Sequence, residues 1–267
     1  MKRFHFVALV LVLATTFVHA GQNCEQRSPD PKRIMQGFEL AQQVKQALDQ
    51  SKSEFAIIAR NGQDLTQYHL RYSHLGLIRK ETDGSWMIVH ELNQCGTAES
   101  ALFKQGLANF FLDDPFRYEA LVLIPSADIQ QKILAKMNSD AIKQLHEARY
   151  NMLAFPFSQR YQNSNQWALE VIAAALAHHT VIDTREQAQA WLKIAGYQAT
   201  TLEIPMMTRL GARLFRANIA FDDHPMGRRM AGRIDTVTVE SVEQFLKKRD
   251  PQIQQWFITL PTSTSDR

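Results

Sequence analysis

Cysteine is nearly absent: Cys24 and Cys95 are the two in 267 residues. No Cys-x-x-Cys pair, no His-Glu-x-x-His run and no glycine-rich phosphate loop occurs. Those absences argue against a thioredoxin-like redox centre, a zincin metalloprotease and a P-loop nucleotide site. Charge of one sign is also scarce. The formal net charge is +3, and Lys2 and Arg3 stand at the extreme N-terminus. Without them 28 basic residues face 27 acidic ones. No basic cluster is interleaved with aromatics, so nothing points to nucleic acid as a partner. Long apolar runs are missing beyond residue 20, as are internal repeats and interdomain linkers.

Residues 1–20 have the order of a secretory signal. Lys2 and Arg3 form the basic region, Phe6 to Phe17 the apolar stretch, and Val18-His19-Ala20 a small-residue cleavage site. The apolar run is short for a membrane span. The reading is a periplasmic protein with no transmembrane segment after cleavage. Residues 21–267 then form a single domain with a polar C-terminal tail, long enough to bury a sizeable core. In an oxidising compartment two thiols pair, so a Cys24–Cys95 disulfide is expected. Closing a loop of about 70 residues would stabilise the fold by roughly 4 kcal/mol. The alternative is a free Cys24 beside a nucleophilic Cys95.

Most of the chain reads in alternating short elements. Ile34, Phe38, Ala41, Val44 and Leu48 have helical spacing. Phe55 to Ala59 is a short apolar run and reads as a buried strand. Tyr72–Arg79 and Trp86–Leu92, joined by Asp83-Gly84, read as a β-hairpin with His74, Gly76 and Ile78 on one face. Strands are expected at Glu119–Ile124, Asn151–Phe155, Tyr197–Ile204 and Arg233–Val239. Helices are expected from Ser126 to Met137, Ser139 to Arg149, Thr184 to Ala195 and Glu240 to Arg249. Pro205–Arg216 is a basic amphipathic segment, either a solvated helix or a face for anionic lipid or cell-wall polymer. Asp222-Asp223-His224 reads as a turn rather than a metal site, and no cofactor or metal is called for.

The segment Arg160–Leu176 organises the rest. Asn163 is a good N-cap, with Gln166 three residues on as in a capping box. Ser164 is then the first helical residue, among unpaired backbone N–H groups at the positive end of the helix dipole. Two readings stand for it: a capping residue, or a nucleophile beside anion-stabilising donors. The helix is apolar on two faces and belongs in a core. A base for Ser164 would have to come from elsewhere. His74 on its strand is a candidate, with His90, Glu91 or Asn93 to orient its ring. The alternative for His74 is a half-buried histidine with satisfied hydrogen bonds.

Tyr72-Ser73-His74-Leu75-Gly76-Leu77, His90–Gly96, Asn109–Tyr118 and Arg160–Trp167 resemble the signature runs of the bacterial family known as domain of unknown function 2145. That resemblance spans nearly all of residues 21–267 and implies no activity. More distantly, a Ser-His-x-Gly strand followed by an Asn-nucleophile turn into a helix is similar to the circularly permuted NlpC/P60 papain-like superfamily. This implies an α+β papain-like fold, with an antiparallel sheet packed on a central helix. It implies His74 as base, His90 as third polar residue, and Ser164 where those enzymes carry Cys. Tyr161 would assist the oxyanion, with Asn163 and Gln166 lining the site. The expected activity is hydrolysis or acyl transfer of an amide or ester on cell-wall peptide, glycan or lipid. The rival expectations are a non-catalytic envelope protein binding through the same cleft, and a structural partner with Phe110–Tyr118 at an interface. A hydroxyl ionises far less readily than a thiol, so the substitution at 164 sets these readings apart.

Overall fold

The computed structural model describes residues 30–261, except Asp114, His179 and the side chains of Leu214 and Phe215. The expected signal segment, Cys24 and the extreme C-terminus lie outside the described residues. Cys95 sits in the turn that follows the hairpin's second strand.

Helix α1 (Pro31–Ser51) opens the described chain, with Asp30 capping and Pro31 at its first turn. Strand β1 (Phe55–Asn61) follows, then β2 (His74–Lys80), β3 (Trp86–Asn93) and β4 (Ser100–Gly106). Short helix α2 (Leu107–Leu112) leads to β5 (Arg117–Ile124), α3 (Ala127–Met137) and α4 (Ala141–Gln144). Helix α5 (Ser164–Leu176) is the central rod, followed by α6 (Arg185–Ile194). A hairpin of β6 (Thr200–Glu203) and β7 (Arg233–Thr236) encloses α7 (Met206–Phe215) and α8 (Met226–Met230). Helix α9 (Val239–Arg249) and strand β8 (Gln254–Thr259) complete the fold.

Six strands form an antiparallel sheet in the order β4-β3-β2-β1-β5-β8. Helices cover both of its faces. Phe55, Ile57, Ala59, Leu75, Leu77, Leu121 and Leu123 pack on α3, α5, α6 and α9. The intervening Ala56, Ile58, Ile78, Ile88, Ala120 and Val122 pack on α1 and α2. Burial on both sides is why Phe55–Ala59 is continuously apolar instead of alternating. The α+β class and antiparallel sheet are as expected. The sheet, however, lies between two helical layers instead of resting on one helix.

Two expected elements are corrected. Asn151–Phe155 is not a strand: Tyr150 makes an isolated bridge to Gln162, and the amide of Asn151 exchanges hydrogen bonds with Ala220 at 3.0 Å in both directions. Ser139–Arg149 is helical only over Ala141–Gln144, because Ser100 N and Tyr150 N bond to Ala148 and Ala98 carbonyls and draw the chain into the edge of the sheet.

Candidate functional site

Asn163 caps α5 as the sequence suggests, its Oδ1 accepting from Gln166 N at 2.8 Å. The reciprocal half of the capping box is not made. Gln166 is buried and donates to Pro156 O and Glu170 Oε1 instead. Asn163 Nδ2 donates to Thr236 Oγ1 at 3.0 Å, tying the helix start to β7. The next residue but one also anchors the helix. Asn165 Oδ1 accepts from Leu75 N at 3.0 Å, and its Nδ2 donates to Ser73 O. The entry of α5 is therefore pinned on both sides of Ser164, to β7 by Asn163 and to the start of β2 by Asn165.

His74 does meet His90. The Nε2 of His74 lies 2.8 Å from Nδ1 of His90, and Nε2 of His90 lies 3.1 Å from Gln105 Oε1. Burial lowers the pKa of both rings, that of His90 to about 4, and the nearby Arg60 guanidinium adds to it. Both are therefore neutral at pH 7. Gln105 Oε1 can only accept, so His90 carries its proton on Nε2, and its Nδ1 accepts from His74. Phe110 of α2 closes over both rings, with centroids 5.8 and 5.3 Å away. Arg60 lies over the same phenyl ring and pairs with Asp113.

The expected Ser164–His74 pair is not formed. His74, Gly76 and Ile78 share the sheet face covered by α1 and α2, whereas Leu75 and Leu77 face α5. A Cβ on Gly76 would stand 3.3 Å from His90 Cβ, so the two histidine strands approach closely on the α2 face. Strand residues alternate faces, and the apolar contacts of Leu75 and Leu77 with the central helix send His74 away from it. His90 turns away for the same reason.

On the α5 face the hydroxyl of Ser164 meets the phenol of Tyr150 at 3.4 Å. Burial pushes the Tyr150 hydroxyl up to about 12. Beyond it stands Glu91, fully buried on β3 and opposite in direction to His90. Burial pushes Glu91 up to about 8, and the charge of Glu170 adds to the effect. Neither Glu91 oxygen has a hydrogen-bond partner among the described residues. Ser100, whose hydroxyl is 3.0 Å from His146 Nε2, exerts only a partial counter-effect. Neither Tyr150 nor Glu91 is a ready proton acceptor for Ser164 at pH 7, since both hold their protons.

The other expected site residues take structural places. Tyr161 is held under Arg160 at 5.4 Å, and Arg160 pairs with Asp222. Asp223 accepts from Phe155 N at 2.7 Å and bonds His224, whose Nε2 donates to Asp235 O. That Asp-His pair clamps the 155 loop to β7. Phe110 and Phe111 are buried, so the aromatic stretch is mostly core, with Phe116 exposed. Tyr150 is the residue at the helix mouth that the sequence reading missed. Its neighbour Glu91, one of the residues offered to orient His74, faces away from His90 and so lies on the other side of the sheet; alternation along the strand was the signal that could have shown this.

A family model described as an uncharacterized protein conserved in bacteria (DUF2145) matches residues 47–246. No curated protein and no solved structure matches the chain.

Proposed function

The chain belongs to this bacterial family, and on that premise we propose that it is an exported, non-catalytic cell-envelope binding protein on a papain-like scaffold. One observation carries the reading. The hydroxyl at the nucleophile position and the imidazoles at the base positions lie on opposite faces of the sheet. A serine needs its proton removed as it attacks. Here its hydroxyl partner is a phenol pushed up to about 12. The residues at positions 1–20 support the exported setting, in which the Cys24–Cys95 bridge is expected. Non-reducing peptide mapping of the secreted protein should recover those two cysteines in one linked fragment.

A groove of about 610 Å3 at the C-terminal end of α5 suits the ligand. Trp191, Asp128, His178 and Arg249 line it, so an apolar wall stands beside groups of both charges. A short cell-wall peptide, with amino and carboxylate groups on one strand, matches that mixture. We expect no labelling of the purified protein by a fluorophosphonate probe, and saturable binding of soluble peptidoglycan fragments that weakens in Arg249→Gln. Labelling that disappears in both Ser164→Ala and His74→Ala would overturn the reading in favour of a serine hydrolase.

A further inference from the structure

Helix α7 shows several apolar side chains outward among those described. Amphipathic helices of soluble proteins bury their apolar stripe. Among the described side chains of α7 the buried one is Arg209, which donates to Arg229 O of α8 and lies over Phe221 at 5.9 Å. Met206, Met207 and Leu210 are exposed instead, Met207 to 73%. Residues on a helix advance by about 100° each, so these three fall within one arc of roughly 100°. On α8, Met226 and Met230 are exposed one turn apart, on a common face. The bond from Arg209 to Arg229 links α7 to α8.

The charge on this segment is mainly positive, although Arg228 pairs with Asp235 and Arg233 stands across from Glu203 on β6. Residues 205–233 hold six arginines and two aspartates, a net of +4, while the whole chain carries +3. The remainder of the chain is thus −1. Both aspartates are engaged inward, Asp222 with Arg160 and Asp223 with Phe155 and His224. Arg213, Arg216 and Arg233 are exposed.

We propose that the α7–α8 face docks on the surface of an anionic phospholipid bilayer. Flexible thioether and leucine side chains would enter the headgroup boundary, and the arginines would meet lipid phosphates. No helix among the described residues is long and apolar enough to cross a membrane, so the contact is peripheral. The proposal is independent of whether the envelope ligand is turned over or merely held.

The test is co-sedimentation of the full chain with vesicles. One set contains phosphatidylglycerol and phosphatidylcholine, the other phosphatidylcholine alone. The wild type should sediment with the anionic set, and less so as salt rises. Met207→Glu/Leu210→Glu and Arg213→Ser/Arg216→Ser should each weaken that binding by about tenfold or more. Circular dichroism should show both variants folded, since the four side chains are exposed. Failure to sediment with the anionic set would overturn the proposal, as would equal sedimentation with neutral vesicles. So would unchanged binding by both variants, or a wild-type dimer that either variant dissociates without any vesicle binding.

Discussion

Replacing Arg185 by methionine is expected to lower the free energy of unfolding by about 3–5 kcal/mol. Glu170 lies in the middle of α5 with no exposure, and Arg185 reaches it from the start of α6 at 2.8 Å. Gln162, Gln166 and Gln189 complete the cage, at 2.6, 3.1 and 2.8 Å. Burial pushes the Glu170 carboxyl up, and the Arg185 guanidinium holds it down. Removing the guanidinium leaves a buried acid with amide donors alone. It must then either take up a proton or remain an uncompensated charge, and both outcomes cost stability. Urea unfolding at pH 7 measures the loss. The double variant Arg185→Met/Glu170→Leu should recover much of it, because the pair's own net contribution is small. A single variant within 1 kcal/mol of wild type would show that the three glutamines suffice.

The second large effect is on pH. Glu91 has an ordinary value of 4.5 and stands at about 8 in the fold. A carboxyl raised by folding binds its proton more tightly in the native state. Below pH 4.5 it is protonated folded and unfolded alike, and it costs nothing. As pH rises from 4.5 toward 8 the unfolded chain releases the proton and the folded chain keeps it. Stability therefore falls across that window and levels off above it, by an amount approaching roughly 5 kcal/mol. Glu91→Gln should remove most of this slope. At pH 9 the variant should be the more stable protein by a few kcal/mol, and near pH 4 the two should converge. Thermal melts at a series of pH values provide the comparison. An unchanged slope in the variant would mean that Glu91 is ionised in the native protein.

The parts of the fold that were legible from sequence are those specified locally. Asn163 and Thr184 announce their helices because a cap is a contact of two or three residues. The hairpin of β2 and β3 follows from two apolar runs about a turn whose Gly84 has a φ of 82°. Strands β4 and β8 were missed because they form the edges of the sheet. Ser100–Gly106 and Gln254–Thr259 are half exposed and show little apolar periodicity. Alternation correctly grouped His74 with Gly76 and Ile78. It could not say which of the two faces α5 would cover. That choice is made by Leu75 and Leu77, which bury more apolar surface against Trp167 and its neighbours than an imidazole would. Tyr150 escaped notice because its place depends on a bridge to Gln162 and on long-range bonds around Asn151.

Strand β8 pairs with β5 across residues 119–124 and 254–259. The outermost strand on that side therefore forms only once residues 254–259 reach a neighbour about 130 residues earlier in the sequence. Before then the outer backbone of β5 has no neighbour on that side, and the nascent chain cannot finish its architecture. Such late closure across a wide sequence separation slows maturation.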